Sequence, residues 1–169
     1  AGHGAAVLRV DADRGGLISL QIHIEWLADD ATRRALIDSQ AKAALVSADM
    51  PLRANLVVLE NIAVVPQYIQ NMRYQDAVDV AWNLLLQAGY SDSAYKRDPA
   101  LSHEERFVAK LLRAVVSGPD RLLIDRPAML LPDTRYPPFV EDVLRRLDDQ
   151  LNDCWILDYQ WNEPLYAPR

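Results

Sequence analysis

The sequence has little cysteine, histidine or lysine, and each shortage excludes a class of site. It contains a single cysteine, Cys154, so an internal disulfide framework and a thiolate metal cluster are both excluded. Its three histidines, His3, His23 and His103, are scattered without metal-ligand spacing, and we expect no metal site. Almost all of the basic residues are arginines, which favour ion pairs with carboxylates, so we expect a mixed, ion-paired surface.

Positive charge and long apolar runs are also scarce. The formal net charge of −6 argues against a nucleic-acid partner, because proteins that bind nucleic acids usually present a basic face. No run approaches the roughly 18 apolar residues that a membrane span requires, and no signal-peptide pattern is visible. The sequence therefore predicts a soluble, cytoplasmic protein without a transmembrane segment.

Glycine is scarce where phosphate chemistry would require it. A phosphate-binding loop needs glycines, so that backbone amides can surround the phosphates, and a lysine to meet their charge. The pattern G-x-x-x-x-G-K-[ST] does not occur, and no lysine directly follows any of the six glycines. Tight triphosphate binding by such a loop therefore has no source in these residues.

The residues that are present predict a single α/β domain. The chain has 169 residues and is half apolar, which suffices to bury a sizeable core. Apolar runs of strand type alternate with amphipathic stretches of helix type, which favours parallel strands joined by helices. The predicted elements are a β-hairpin over 7–11 and 17–25, helices over 30–41, 74–88 and 139–151, and strands over 43–46, 122–124 and 155–157.

The most regular stretch is LSHEERFVAKLLRAVVSGPDRLLIDRP, residues 101–127. The spacing of Ser102 and Glu105 predicts a capping box, in which each side chain bonds the other residue's backbone amide. An apolar helical stripe follows from Phe107, and Gly118-Pro119 is typical of a helix end. A short buried strand then leads into Asp125.

This stretch resembles the ATP-binding cassette (ABC) ATPases, from the signature sequence through the Walker B strand. NLVVLENIAV, residues 55–64, also resembles the start of the family's helical subdomain. The similarity is strong over 46–127 and weaker over 139–160. Before Lys42 two alignments remain open: the stretch that follows the phosphate loop, or the hairpin that precedes it with the loop and its helix deleted.

The resemblance implies a fold for the whole chain. We expect a P-loop NTPase-like α/β fold, with a mostly parallel sheet, flanking helices and an N-terminal β-hairpin. Residues 1–169 would form one degenerate cassette domain, with a helical subdomain at about 50–108 inserted in the α/β core.

The resemblance also implies nucleotide-site positions, and several carry unsuitable residues. His103, Glu104 and Glu105 replace the signature glycines and glutamine, and carboxylates there would repel an anion. Arg126 stands where the family has the glutamate that polarises water, and arginine cannot act as a base. We therefore expect Asp125 to pair with an arginine inside the fold rather than hold magnesium. The implied nucleotide positions are Ala48, Ser102, His103, Glu104, Glu105, Asp125, Arg126 and Gln160.

These substitutions favour a non-hydrolysing ABC ATPase-like protein that acts through protein contacts, with no catalytic residue and no cofactor. Its partner would be a transporter membrane subunit or an intact ABC ATPase, in a homo- or heterodimer, and the chain would be peripheral at the inner membrane. One alternative is an ATPase with an atypical site that binds ATP and magnesium, and another is a structural or regulatory module unrelated to transport. The docking candidates that the resemblance implies are Asp49, Pro51, Arg53, Asn55, Tyr68 and Tyr74.

The last strand and the residues after it offer other polar and aromatic side chains. Cys154 opens a buried strand with no histidine nearby in sequence, and we expect a core thiol rather than a nucleophile. For Asp158 and Glu163 we expect surface or salt-bridge roles. For the aromatic residues Trp155, Tyr159, Trp161 and Tyr166 we expect core packing.

Overall fold

The computed structural model describes the backbone of residues 5–10 and 20–166 and the side chains of residues 22–166. Five strands form one sheet in the order β1-β2-β5-β4-β3. The first two strands are antiparallel, whereas β2, β5, β4 and β3 run parallel. The strands are β1 (Ala5–Val10), β2 (Leu20–Leu27), β3 (Ala44–Val46), β4 (Arg121–Asp125) and β5 (Asp153–Tyr159).

The mostly parallel sheet confirms the fold class that the sequence predicts. The antiparallel pairing of β1 with β2 confirms the N-terminal hairpin, and the turn predicted between them lies outside the described residues. The helices are α1 (Asp30–Ser39), α2 (Val58–Ile69), α3 (Tyr74–Ala88), α4 (His103–Val115), α5 (Pro127–Leu130) and α6 (Tyr136–Arg146).

The two faces of the sheet carry different layers of helix. Side chains alternate between faces along a strand, so Ile22 and Ile24 of β2 join the large core, which includes residues of α4 and α6. On the other face Leu27, Leu123 and Leu157 form a smaller apolar cluster against Leu36 and Ile37 of α1. The sheet therefore lies between helices on both sides, as in other α/β proteins.

Helices α2 and α3 pack on each other and on α4. Gly89 ends α3 in the left-handed conformation, with φ 82°, where glycine is the usual residue at a helix end. The assignment of residues 50–108 to an inserted subdomain stays a prediction. In the described part of the chain, no helix is both long and apolar enough to cross a membrane.

The sequence prediction of a helix over 139–151 is wrong in its bounds. Helix α6 starts three residues earlier, at Tyr136, with proline in its first turn, where a missing amide hydrogen costs little. It ends at Arg146, and a 3₁₀ turn at Asp148–Gln150 follows. The apolar periodicity of the sequence extends past the helix end because Leu147, which follows the helix, is also buried in the core.

Candidate functional site

The parallel strands bring polar residues together at one edge of the sheet. Asp125 ends β4, Ser47 follows β3, and Asp29 follows β2 after a single intervening residue. Because the carboxyl ends of parallel strands share an edge, these residues lie along one edge of the sheet, and this edge is where α/β proteins usually bind ligands.

Asp125 is the centre of this edge, and its side chain has no exposed surface. Its Oδ2 accepts hydrogen bonds from Ser47 Oγ at 2.7 Å and from Arg33 Nη1 at 3.0 Å. Its Oδ1 accepts from Arg126 Nε at 3.2 Å. Both carboxylate oxygens are therefore engaged by protein donors, and the arginine that the sequence led us to expect is Arg33 of α1.

Two further carboxylates extend the cluster towards solvent. Asp49 Oδ2 lies 3.0 Å from Arg126 Nη2 and 3.6 Å from Arg33 Nη1. Asp30 Oδ1 accepts from Arg33 Nε at 2.9 Å and from the Tyr159 hydroxyl at 3.2 Å. We call the following set the Asp125 network: Asp30, Arg33, Ser47, Asp49, Asp125 and Arg126.

The pKa directions agree with ion pairing in this network. Burial alone would lower the pKa of Arg33, but its hydrogen bond to Asp30 and its attraction to Asp125 and Asp30 raise it above the ordinary value. The hydrogen bond from Arg33 lowers the pKa of Asp30. Each partner thus stabilises the charged form of the other.

Arg126 holds an unusual backbone conformation, with φ 46°. A non-glycine residue in the left-handed region is strained, and such strain persists only when surrounding contacts fix it. The amide of Arg126 donates to Leu157 O at 2.8 Å, and its side chain bonds both Asp125 and Asp49. These contacts hold the guanidinium beside Asp125.

The connection from β2 to α1 is short and acidic. Only Ala28 and Asp29 separate the strand from the helix. Asp29 Oδ1 accepts from the Thr32 amide at 2.8 Å and from the Thr32 hydroxyl at 2.7 Å, which caps the helix. Asp30 follows in the first turn. The positive end of α1 is therefore already occupied by carboxylates.

The second group of implied positions lies at the start of α4. Ser102 Oγ accepts from the Glu105 amide at 3.1 Å, and Glu105 Oε1 accepts from the Ser102 amide at 3.0 Å, which confirms the capping box. Glu105 Oε2 also accepts from the Ser93 hydroxyl and from Lys96 Nζ, the latter at 2.9 Å. Burial would raise the pKa of Glu105, but these bonds outweigh it and lower the pKa to about 2.

The implied positions therefore separate in space. Asp125 and Arg126 belong to the Asp125 network, and Ala48 is half-buried beside it, after β3. Ser102 and Glu105 instead bind each other and the loop that holds Ser93 and Lys96.

Of the other three implied positions, His103 and Glu104 lie in the first turn of α4 beside Ser102, and Gln160 lies elsewhere. His103 is exposed at the start of α4, and Glu104 Oε1 accepts from the Thr134 hydroxyl at 3.2 Å. Gln160 is exposed and opens the last 3₁₀ turn, Gln160–Tyr166. Within the described residues, no group of three His, Cys, Asp or Glu side chains is placed to hold a metal ion.

Two residues of this edge were missed by sequence reasoning. Arg33 precedes Leu36 and Ile37 by three and four residues, so it shares their inward face, and this spacing could have revealed it. Lys110 is buried in α4, and its Nζ donates to Ser47 O at 3.2 Å. It falls within the apolar stripe of that helix and gives no separate signal.

The segment between β3 and α2 holds four of the docking candidates. Its backbone is fixed by Arg113, which donates to Met50 O at 2.6 Å and to Pro51 O at 2.7 Å. Buried Asn61 accepts from the Arg53 amide at 2.9 Å and donates to Arg53 O at 3.2 Å. We call residues 49–57 the docking segment.

All six docking candidates have exposed side chains. Those of the docking segment are Asp49, Pro51, Arg53 and Asn55. Tyr68 lies at the end of α2 and Tyr74 at the start of α3, with 79% and 57% of their surface exposed, and Ile69, next to Tyr68 in sequence, is 63% exposed. An apolar, aromatic surface of this kind is typical of protein contacts.

Two expectations about the last strand are wrong. Asp158 is fully buried, and its oxygens accept from the Tyr166 hydroxyl at 2.7 Å and Asn162 Nδ2 at 2.8 Å. Asp158 therefore closes the C-terminal turn against the core instead of lying at the surface. Trp161 is 63% exposed and stacks on Tyr159 with a centroid distance of 4.3 Å, so it is not a core residue. Cys154 is buried, and burial raises its pKa, as expected of a core thiol.

The sheet and its helices form an α/β fold that is similar to the fold of ATP-binding cassettes. Two solved structures of the cassette MJ0796 are similar to the chain. A dimeric post-hydrolysis state with ADP and Pi has a TM-score of 0.56 and 21% identity over 80% of this chain and 59% of that one. A dimeric structure described as a bacterial ABC transporter cassette has a TM-score of 0.57 and 18% identity over 82% and 63%.

At this level of identity the likeness shows the fold alone. The chain spans about three fifths of the length of these cassettes. No protein-family model matches the sequence.

Proposed function

We propose that this chain is a non-hydrolysing ABC ATPase-like protein that acts through protein contacts, as a subunit of a transport system. The observation that carries the proposal is the state of Asp125, whose two carboxylate oxygens are engaged by Ser47, Arg33 and Arg126. In the family that the sequence resembles, this position serves the magnesium ion.

A magnesium ion would have to compete with these donors. Mg²⁺ needs near-octahedral oxygen ligands at about 2.0–2.1 Å. To reach Asp125 it would displace Ser47 or an arginine, and both guanidinium groups would repel it. Arg126 also cannot take a proton from water, because guanidinium stays protonated in proteins. The residues present therefore do not fit magnesium-dependent hydrolysis.

The surroundings of α1 are equally unsuited to phosphate. The connection of Ala28 and Asp29 is too short for a glycine-rich loop of the usual length. Asp29 and Asp30 take the positive end of α1 and would repel an anion there. A triphosphate bound in the family's manner would therefore have neither a phosphate-binding loop nor a magnesium ion to hold it.

The exposed docking candidates support the part of the proposal that concerns protein contacts. The docking segment and the Tyr68 and Tyr74 surface together offer a fixed backbone and exposed aromatic rings. Tyrosine contributes large contact areas to interfaces at low entropic cost. We propose that the docking segment and the two tyrosines dock on a transporter membrane subunit or on an intact ABC ATPase, and that the protein acts in the cytoplasm, peripheral at the inner membrane.

A calorimetric titration with Mg-ATP tests the absence of a nucleotide site. We expect no heat of binding up to millimolar nucleotide. Saturable binding with a micromolar dissociation constant would refute this part and would favour the alternative of an ATPase with an atypical site.

Co-purification after mild detergent extraction tests the partner. We expect a membrane subunit or an intact cassette to accompany the chain, and Tyr68→Ala with Tyr74→Ala to abolish this. The matched control is Trp161→Ala, since Trp161 is 63% exposed and lies in the C-terminal turn after β5. A chain that purifies alone, or a control as damaging as the double variant, would contradict the proposal.

A further inference from the structure

We infer that the Asp125 network, together with Lys110 and Arg113, is a latch that holds the docking segment in one conformation without any nucleotide. The inference deepens the proposed function, because the held segment is the one that would dock. The latch itself is a property of the chain alone and can be tested without a partner.

The inner part of the latch grips Ser47 from two sides. Its hydroxyl donates to Asp125 of β4 at 2.7 Å, and its carbonyl accepts from Lys110 of α4 at 3.2 Å. The same hydroxyl accepts from the Asp49 amide at 3.1 Å. Ser47 is fully buried, so water does not compete for these bonds. The start of the docking segment is thereby tied to the sheet and to α4.

The outer part of the latch reaches the exposed end of the segment. The Asp49 side chain is 61% exposed, yet its Oδ2 contacts both Arg126 at 3.0 Å and Arg33 at 3.6 Å. Arg113 then donates hydrogen bonds to the next two carbonyl oxygens, Met50 O and Pro51 O. Four cations thus contact four of the five residues 47–51: Arg33 of α1, Lys110 and Arg113 of α4, and Arg126, which follows β4.

The helices that follow the segment are also fixed at their far end. Arg146 of α6 donates to Ala88 O at 2.9 Å, and Gln87 donates to Arg146 O at 2.9 Å. Gly89 leaves room for this arginine, since a Cβ there would lie 2.6 Å from Arg146 Nη1. Helices α2 and α3 are therefore attached to the α/β core at both ends.

These contacts order the docking segment, as a bound ligand orders a loop in switch proteins. There, a phosphate and its metal ion order a loop, and the loop is released when they leave. In this chain the ordering charges are covalently part of the protein. A ligand that does not distinguish two conformations shifts no equilibrium. The docking segment should therefore be equally ordered with and without Mg-ATP.

Amide hydrogen exchange of the isolated chain tests the latch. The reporters are the amides of Asp49, Met50 and Arg53, which bond Ser47 Oγ, Ser47 O and Asn61 Oδ1. We expect protection in the wild type, unchanged by millimolar Mg-ATP. Arg33→Ala should lower the protection of the Asp49 and Met50 amides by about tenfold or more, relative to amides inside α3.

The chain offers a matched control and two variants that keep the fold. Arg34 neighbours Arg33 and also pairs with Asp30, at 2.8 Å, but is 73% exposed and touches neither Asp49 nor Asp125 in the described contacts. Arg34→Ala should leave the reporters unchanged. Arg33→Lys should restore part of the protection. Asp49→Ala removes only the exposed end of the latch and should raise exchange at Met50, and at residue 49 after correction for its new intrinsic rate, without unfolding.

Three results would overturn the inference. These are unprotected reporters in the wild type, equal effects of the Arg33 and Arg34 variants, or reporters that become protected only when Mg-ATP is added. Loss of co-purification with reporters still protected would instead refute the proposed docking and leave the latch standing.

Discussion

The pair of Arg33 and Asp125 should couple strongly in a double-mutant cycle. Arg33 Nη1 lies 3.0 Å from Asp125 Oδ2, and the side chains are 6% and 0% exposed. At an effective dielectric constant of about 20, two unit charges at this distance attract by about 5.5 kcal/mol. Desolvation offsets much of this, and Ser47 and Arg126 still bond Asp125 when Arg33 is removed. We therefore expect a coupling of about 1–3 kcal/mol.

The assay is urea unfolding of the wild type, Arg33→Ala, Asp125→Ala and the double variant. The four tryptophans give a fluorescence signal, and circular dichroism checks that both probes report one transition. Arg33→Ala alone should lower the free energy of unfolding by about 2–4 kcal/mol, because it leaves a buried carboxylate short of a partner.

The control for this cycle is Arg34→Ala, whose exposed pair with Asp30 should contribute at most about 0.5 kcal/mol. A coupling between Arg33 and Asp125 below about 0.5 kcal/mol would show that this buried ion pair does not stabilise the fold. An equal loss of unfolding free energy in Arg34→Ala and Arg33→Ala would also contradict this prediction, because the stabilisation by an ion pair would then not depend on its burial.

Three further substitutions test other parts of the account. The pKa of Glu105 is lowered to about 2 from an ordinary 4.5, so its ionised form stabilises the fold above pH 4.5, and this stability is lost as the pH falls towards 2. In urea melts at a series of acid pH values, the difference in unfolding free energy between the wild type and Glu105→Gln should therefore narrow over that range. Gly89→Ala should lower the free energy of unfolding by about 1–2 kcal/mol in thermal melts, because φ is 82° and the new Cβ meets Arg146. An Ala→Gly substitution inside α3 costs about 1 kcal/mol for a different reason, the greater backbone entropy that glycine loses on folding. Asn61→Ala should cost about 1–3 kcal/mol in urea unfolding by leaving the Arg53 amide unpaired, and exposed Asn83→Ala should be nearly neutral.

The strands and helices of this chain follow from local patterns. Alternating apolar residues place Ile22 and Ile24 on one face of β2, and the Ser102 and Glu105 spacing gives the observed capping box. Gly89 ends α3 where a left-handed residue is needed. Each of these signals acts over fewer than about six residues, so the sequence displays them directly.

The polar site depends on contacts that no local pattern records. Arg33 meets Asp125 across 92 positions of sequence, and Ser47 meets it across 78. Asp158 shows the same limit, since its burial depends on tyrosines and an asparagine that reach it only after β5 and the C-terminal turn have packed. The sequence predicted that Asp125 would find an arginine, but not which arginine.

The proposed function requires that this cassette-like fold has no working nucleotide site. The most direct measurement is the free energy of unfolding in urea with and without about 1 mM Mg-ATP, where a dissociation constant of about 10 μM would add about 2.7 kcal/mol. Our account predicts no change beyond the effect of ionic strength, which matched magnesium and sodium salts control for. A saturable increase that depends on ATP and is lost in Asp125→Ala would contradict it.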